Sequence, residues 1–444
     1  LTAFPFAATP WQKIAWLQGH VRQFNPQQWL PTLPAGQWQA EFRAQGDQQA
    51  MQGEFWLGNQ QPAKWGNGFP VRQVVAKWQW REPKLIVDHL EIDTLGGQLQ
   101  AAMEVSAEHL QAQLQTTHPL QLAQLAPELP PLQPVLDWKL AGPWQALLLQ
   151  ANITEQQRRL TVAAELVGDP RGTLALHAVK LSQLRLQDGA GSLQAAGAWQ
   201  AATRQQPAKL SLTGELQGLN PAHYHPDWPQ GKLGLSFTAE GQWQAEWLGK
   251  LQFVMLPSQL QQQPLQGEGK LQWQAERLQV PQLSLRLGSN QLSLAGAFGQ
   301  VGDRLTAQIH APNLAQLGGD FSGQVQAKAQ FAGRFTAPEV QFELQAKQVV
   351  WPQWLSLAEA EGRGELQLAA ASPFKINLAL RQLRLPRQNI AVSQLSLQGQ
   401  GQRQHHQLQL QMTADVAGQA VQNQLRWQGG FQEHDVTWRG TWQQ

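Results

Sequence analysis

Two short segments carry imidazole side chains that could bind a metal ion. Residues 223–227 read HYHPD, and an H-x-H pattern places both imidazoles on one side of an extended chain. A metal site needs further ligands, and no third or fourth ligand is near in the sequence, so we interpret this segment as a surface loop. His405 and His406 are adjacent, which points them to opposite faces of a strand and argues against a shared ion.

Two further patterns could belong to an enzyme. Glu359 and Glu361 would lie on one face of a strand, where a carboxylate pair could serve acid–base catalysis on a glycan. Their neighbours form no recognisable pocket, so a solvated strand face is the better interpretation. The segment Gly399-Gln400-Gly401 is not followed by a helix pattern, which a phosphate-binding loop requires. We therefore expect a protein that is not an enzyme and binds no metal or cofactor.

The composition excludes several other classes. Only 14% of residues are charged and the formal net charge is +2, with Lys and Arg scattered singly. A nucleic-acid interface needs clustered basic residues beside stacking aromatics, so we expect no nucleic-acid partner. Cysteine is absent, which excludes disulfides, Cys-type zinc sites, iron–sulfur clusters and thiol catalysis. Absence of cysteine also suits a bacterial envelope protein.

The chain is organised by a two-residue hydrophobic period. Residues 283–294 read LSLRLGSNQLSL, in which leucine alternates with polar residues on both sides of a Gly-Ser-Asn turn. This alternation predicts short antiparallel strands with one dry face and one wet face. Nearly all of the chain repeats the scheme. The only candidate for an amphipathic helix is the first thirty or so residues, around Trp11 to Trp29.

The strands recur in repeats of roughly 100 residues. The phrase polar-Leu-x-Leu/Ile occurs four times, with its first leucine at Leu90, Leu184, Leu283 and Leu395. The repeats close with a Gly-x-aromatic step, as at Gly142-Pro143-Trp144, Gly241-Gln242-Trp243 and Gly333-Arg334-Phe335. We place approximate repeats at 35–144, 145–243, 244–335 and 336–444 within one continuous region, 1–444. Each would hold roughly eight short strands, about 35 in all, and one Pro- and Gly-rich loop (117–134, 219–230, 311–320) with a short helical turn.

Strands that are apolar on one face must pack that face against another layer, and the sequence predicts few helices that could provide one. A flat sheet of this length would curl, so we predict an all-β fold, a long, curled antiparallel β-sheet solenoid with an apolar concave groove. An open groove of that size would hold acyl chains. The predicted lining consists of Leu90, Ile92, Leu184, Leu186, Leu233, Leu235, Phe237, Leu271, Trp273, Leu283, Leu285, Leu287, Leu292, Leu294, Val325, Phe331, Phe342, Leu344, Leu378, Leu380, Leu395, Leu397, Leu408, Leu410 and Met412.

Three other interpretations stay open at this point. The apolar faces could close on one another as an ordinary dry core. An exposed sheet edge could hold unfolded strands of other proteins by β-augmentation, which would make the chain a scaffold or chaperone. The apolar faces could also turn outward, as in a transmembrane β-barrel.

One stretch resembles a known family. The segments LSLRLGSNQLSLAG at 283–296 and LTAQIHAPNLAQL at 305–317 are followed by Gly323 and by AGRFTAP at 332–338. Their order and repetition are similar to the TamB family, inner-membrane-anchored envelope proteins related to the AsmA-like group. The resemblance is best for residues 271–347 and extends over the entire chain.

The resemblance implies a taco-shaped β-sheet, or β-taco, whose apolar groove crosses the periplasm of a Gram-negative bacterium. It implies transport of phospholipids between the inner and outer membranes, with phospholipid acyl chains as the bound partner. The alternative role is assembly of outer-membrane proteins with a TamA-type barrel. The family's N-terminal anchor and C-terminal partner-binding region have no counterpart here, and both ends resemble cuts through a longer protein. We therefore expect a middle segment, with the inner-membrane anchor and the barrel contact outside it.

Overall fold

The structure is a computed structural model of the 444-residue chain. It describes residues 16–25, 37–46, 50–64, 70–124, 132–168, 176–224, 228–318, 320–367, 373–402, 405–416, 419–431 and 438–443. The chain divides into two compact units, Leu1–Ala201 and Ala202–Gln444. Both units consist almost entirely of antiparallel strands, which confirms the all-β prediction.

Unit 1 is a meander in which each strand pairs with the next along the chain. A short 3₁₀ turn, η1 (Leu122–Gln124), interrupts it after the seventh strand. The strands are β1 (Trp16–Phe24), β2 (Trp38–Gly46), β3 (Ala50–Lys64), β4 (Pro70–Arg81), β5 (Lys84–Thr94), β6 (Gly97–Val105), β7 (His109–His118), β8 (Val135–Pro143), β9 (Leu147–Glu155), β10 (Arg158–Gly168), β11 (Leu176–Asp188) and β12 (Gly191–Gln200).

Unit 2 has the same scheme, and its described residues include the 3₁₀ turns η2 (Pro221–His223), η3 (Leu314–Leu317) and η4 (Pro386–Gln388). Its strands are β13 (Ala208–Leu219), β14 (Gly231–Trp243), β15 (Trp247–Met255), β16 (Ser258–Leu260), β17 (Gln263–Gln274), β18 (Arg277–Leu287), β19 (Asn290–Phe298), β20 (Arg304–Ala311), β21 (Ser322–Arg334), β22 (Ala337–Trp351), β23 (Leu355–Gln367), β24 (Pro373–Leu385), β25 (Ile390–Gln402), β26 (His405–Val416), β27 (Gln419–Phe431) and β28 (Trp438–Gln443). β15 and the short β16 share one position between β14 and β17.

The described residues form 28 strands, fewer than the 35 or so expected from sequence. Most strands have 9 to 15 residues, because irregularities that look like breaks in the sequence are bulges inside continuous strands. Pro281 is an example. It lies in the middle of β18, at the point where the ladder to β19 shifts register. A bulge leaves one residue out of the ladder, so the missing N–H of proline costs no hydrogen bond there.

The same bulge recurs in every repeat. The polar-Leu-x-Leu/Ile phrase starts directly after it, and the extra residues are Asp88, Ser182, Pro281 and Ser393. A bulge bends its strand and increases the local twist. The apolar residue just before it is well covered in unit 2, where Val280 is 0% exposed and Val392 5%. The repeat is therefore structural: each copy of the phrase marks one bend.

The Pro- and Gly-rich loops fold back onto a neighbouring hairpin turn. In unit 2, Asn290 of the β18–β19 turn donates from Nδ2 to the carbonyl of Asn313 at 2.8 Å, and Asn313 N–H donates to Asn290 Oδ1 at 3.1 Å. Gln316 Oε1 accepts from the Ser289 N–H at 2.8 Å. In unit 1, the Gln121 N–H donates to the carbonyl of Leu95 at 2.8 Å. Short helical turns at η1, η2 and η3 agree with the sequence prediction.

The start of the chain differs from the helix considered for it. Trp16–Phe24 is β1, which pairs with β2 from Trp16↔Gln45 to Val21↔Ala40 before its register shifts. Hydrogen bonding to an adjacent strand thus overrides the local apolar spacing. Trp11 and Trp29 lie outside the described residues.

Candidate functional site

In unit 1, cross-strand pairing brings apolar residues into continuous rows on one face. Residues directly opposite each other in a ladder point to the same face of a sheet. One such row crosses eleven strands, from β2 to β12, without a polar member. Its members are Phe42, Phe55, Ala76, Leu90, Ala101, Leu114, Trp138, Ala151, Val162, Leu184 and Ala195.

Unit 2 has the same arrangement. One row runs from β19 to β27, and the neighbouring residues on either side of it along each strand belong to the opposite face. Its members are Leu292, Ile309, Ala327, Leu344, Gly362, Leu378, Leu397, Leu410 and Leu425. We call the face that carries these rows in each unit the apolar face of that unit.

The structure places the predicted lining residues on these apolar faces. Leu90 and Leu184 share one row of unit 1, and Ile92 and Leu186 lie in the next row on the same face. In unit 2, Leu344 and Leu410 belong to the row itself, and Leu285 lies opposite the row member Leu292 in the β18–β19 ladder. Their contact with acyl chains stays a prediction.

The apolar faces are thinly covered. Most of their side chains are half-buried, including Leu114, Leu184, Leu344, Leu397 and Leu410. Among the described residues, the large side chains below 2% exposure are Trp38, Leu95 and Val280. A second layer packed over these rows would bury the leucines, as the core of a sandwich does. Instead, most of these leucines keep part of their surface accessible.

Sequence reasoning missed the glycines of the apolar face. Gly269 lies opposite Phe253, and a side chain at this glycine would collide with the ring. At Gly364 a Cβ would lie 2.6 Å from the ring of Phe342. Each glycine therefore leaves room for an aromatic ring from the adjacent strand to lie over it, which reduces the height differences across the apolar face. The signal was the Gly-x-Gly spacing within strand patterns, as in the segment GEGK at 267–270.

The polar face of unit 2 carries an open depression of about 750 Å³ that crosses β20 to β25. Lys328, Glu343 and Arg363 are direct cross-strand neighbours in it. Alternating charge in such a ladder stabilises strand pairing, by about 0.2–1 kcal/mol per pair. The depression therefore belongs to the solvated face.

The chemical candidates fall where strand geometry puts them. Glu359 and Glu361 lie on the polar face, and Glu359 accepts from Arg381 Nη1 at 3.1 Å. His405 is exposed and His406 is 6% exposed, on opposite faces as expected. Of the segment 223–227, residues 225–227 lie outside the described residues, and the described residues hold no cluster of three or more potential metal ligands.

A bidentate ion pair in unit 2 fixes the loop between β19 and β20. Arg277 donates from Nη2 to Asp303 Oδ1 at 2.7 Å and from Nε to Oδ2 at 3.0 Å, and the Gln300 N–H donates to Oδ2 at 3.1 Å. The hydrogen bond from Arg277 holds the pKa of the Asp303 carboxyl below its ordinary value of 3.8. The same bond raises the pKa of Arg277. This pair ties the start of β18 to the loop after β19.

These features define a class of repeat β-sheet proteins in which one apolar face runs half-exposed across many strands. A family model described as the N-terminal domain of TamB matches residues 89–444. The chain belongs to the TamB family.

A relative with a curated description is the "Translocation and assembly module subunit TamB" of Haemophilus influenzae, which is 28% identical over 240 residues. The match covers 53% of this chain and 18% of the relative, so the chain spans less than a fifth of that protein. No solved structure matches the chain. Within the part that the structure describes, no helix is both long and apolar enough to cross a membrane.

Proposed function

We propose that this chain is a segment of a lipid conduit, in which phospholipid acyl chains lie on the apolar face and headgroups project into water. The observation that carries the proposal is the pair of uninterrupted apolar rows, eleven strands wide in unit 1 and nine in unit 2, whose leucines are only half-buried. A molecule that covers those tips removes apolar surface from water, which is worth about 25 cal/mol per Å².

The relief of the face supports movement along it. Glycines such as Gly269 and Gly364 leave room for rings from adjacent strands, which lowers the relief of the face at these positions. A conduit needs many weak contacts of similar strength, because a single tight site would trap its cargo. Nothing in this arrangement calls for a catalytic group, and we propose a role without chemical catalysis.

Family membership supports a wider setting. We infer that the full-length protein takes part in a translocation and assembly module in the envelope of a Gram-negative bacterium. The segment would lie in the periplasm, with an inner-membrane anchor and any contact to a TamA-type barrel outside it. Assembly of outer-membrane proteins is the second candidate function. The relative is named a subunit of a translocation and assembly module, which supports a role in assembly.

A strand-adding scaffold would need free sheet edges. In unit 1, β2 to β11 are each hydrogen-bonded on both sides, and so are β14, β15 and β17 to β27 in unit 2. These strands cannot accept another by β-augmentation. An assembly role for this segment would therefore use the apolar face rather than an edge along its length.

The decisive test is phospholipid bound to the chain purified without detergent, measured by mass spectrometry. Leu285→Asp puts a charge on the apolar face, whereas Ser284→Asp puts the same charge on the polar face one residue away. We expect at least one phospholipid per wild-type chain, a several-fold loss in Leu285→Asp and no loss in Ser284→Asp. A folded Leu285→Asp protein with the wild-type lipid content would contradict the proposal, as would a lipid-free wild type.

A further inference from the structure

A cluster of aromatic and basic side chains lies at one corner of unit 2, where three connections meet. We call it the Trp-Arg corner: Phe321 before β21, Trp351 and Trp354 in the β22–β23 turn, and Arg387 in the β24–β25 turn. The ring centroids of Phe321 and Trp351 are 6.0 Å apart, and those of Trp351 and Trp354 are 6.4 Å apart. The guanidinium carbon of Arg387 lies 3.8 Å from the Trp354 ring centroid.

The turns that carry the corner are well defined. The Trp354 N–H donates to the Trp351 carbonyl at 3.0 Å, and the Asn389 N–H donates to the Pro386 carbonyl at 3.3 Å. Even so, both tryptophans are about half exposed, at 51% and 50%. The β18–β19 turn, by contrast, is covered by the amide contacts of the η3 loop. Large rings held in place and left in water indicate a contact surface.

The corner continues the apolar face. Trp351 lies two residues beyond Val349 on β22, with Leu355 as its cross-strand partner, and Val349 packs on the buried cluster of Leu357 and Ala360. A molecule that contacts the tryptophans therefore also lies beside Leu355, a half-buried leucine of that face.

The cation of the corner is Arg387, which is exposed and lies over the Trp354 ring. The other basic residues nearby lie on the polar face. Lys347 and Arg381 both lie opposite Glu359 in the ladders, and Arg381 binds it at 3.1 Å. Arg384 lies opposite Ser356 and next to Leu383, which packs on the apolar cluster.

We propose that the Trp-Arg corner docks on a phospholipid bilayer surface. The Trp351 and Trp354 rings lie at the level of the headgroups, where an amphipathic ring meets both water and hydrocarbon. Arg387 contacts the phosphates, because a basic residue near such a surface is favoured by the negative potential of the leaflet. The inference rests on the proposed function and deepens it, since it names the place where a bilayer meets the apolar face.

The test is flotation of the purified chain with vesicles of pure phosphatidylcholine or of phosphatidylcholine mixed with phosphatidylglycerol. We expect binding to both vesicle types through the tryptophans. Arg387→Gln should lower the apparent partition coefficient for the anionic vesicles about fivefold, the effect of one basic residue near such a surface. Trp351→Ala/Trp354→Ala should lower binding to both vesicle types.

Matched variants are available in the same unit. Arg334→Gln removes one exposed arginine at another strand end, and Trp228→Ala/Trp243→Ala removes tryptophans that are 52% and 62% exposed. Both should float as the wild type does. Equal loss in the matched variants would overturn the inference, and so would a wild type that binds neither vesicle, which would leave a protein partner for the corner.

Lipid content separates this inference from the proposed function. Variants of the corner that keep co-purified phospholipid but do not float would leave the apolar face as the lipid site and confirm the corner as the docking site. A wild type that keeps co-purified phospholipid but does not float would overturn the corner alone. A wild type that floats without any co-purified phospholipid would refute the conduit and leave the corner as a peripheral membrane contact.

Discussion

At the scale of single residues, the apolar face combines large side chains with glycines. Aromatic rings from adjacent strands lie over these glycines, as Phe342 does over Gly364, and leucines lie between the rings. The leucine positions could be predicted from sequence because a period of two leaves no choice of face. The glycine positions could not, because a ring that covers a glycine comes from an adjacent strand whose register the sequence does not state.

The Arg277–Asp303 pair makes the stability of the β19–β20 loop depend on pH. The Asp303 pKa is lowered in the folded chain, so the pair stabilises fully above 3.8, the ordinary value, and the contribution is lost as pH falls through the folded value. We expect Asp303→Asn to lower the urea midpoint at pH 7, and we expect its difference from the wild type to shrink as pH falls below 3.8.

The control for this experiment is Glu276→Gln, a change of an exposed carboxylate in the adjacent β17–β18 turn. It should unfold as the wild type does at pH 7. A midpoint difference between Asp303→Asn and the wild type that is the same at pH 7 and at pH 2 would refute the ionic explanation.

At the scale of strands, the recurring bulge explains why the polar-Leu-x-Leu/Ile phrase occurs in each repeat. The apolar residues before and after each bulge are three apart, as Val280 and Leu283 are, so both can face the same side only if one residue leaves the ladder. That spacing was present in the sequence as a break in the period of two. It could equally have indicated a turn, and only the partner strands decide between a bulge and a turn.

The bulge position should tolerate proline in other repeats. Ser182 occupies in β11 the place that Pro281 occupies in β18, and it is left out of both adjacent ladders. We expect Ser182→Pro to change the free energy of unfolding little, apart from the loss of the Ser182 Oγ hydrogen bond to the Ala163 carbonyl at 2.9 Å.

Arg185→Pro is the contrast, because Arg185 pairs with Thr161 on one side and Gln194 on the other. Removing a ladder donor there should destabilise by about 1–3 kcal/mol. Chemical denaturation measures both variants, and equal destabilisation would show that the bulge is not the reason proline fits at position 281.

At the scale of the whole molecule, each unit is a single layer with two unlike faces. Hydrogen bonds between strands satisfy the backbone, and cross-strand contacts shield the flanks of the apolar side chains. Among the described residues, most side chains of the apolar rows are only half-buried, so this face stays accessible across the strands of each unit. This arrangement connects the repeat to the proposed conduit.

A conduit must hold lipid in both units. A photo-crosslinking residue at Leu114 in unit 1 or at Leu397 in unit 2 should crosslink to phospholipid in cells, because both positions lie in the apolar rows. The neighbours Gln113 and Gln398 are exposed on the polar faces and should not crosslink. Lipid adducts at one unit only would limit the proposal to that unit, and equal adducts on both faces would refute it.

The sequence by itself determined the class of fold, the face on which each leucine lies and the recurrence of the repeat. These follow from local geometry, since alternation sets the face and turn residues set the hairpins. Tertiary structure alone decided which residues share a row, that the breaks are bulges, and that Phe321, Trp351, Trp354 and Arg387 form one corner. Those contacts join separate connections, and their geometry depends on the summed twist and register of the strands between them.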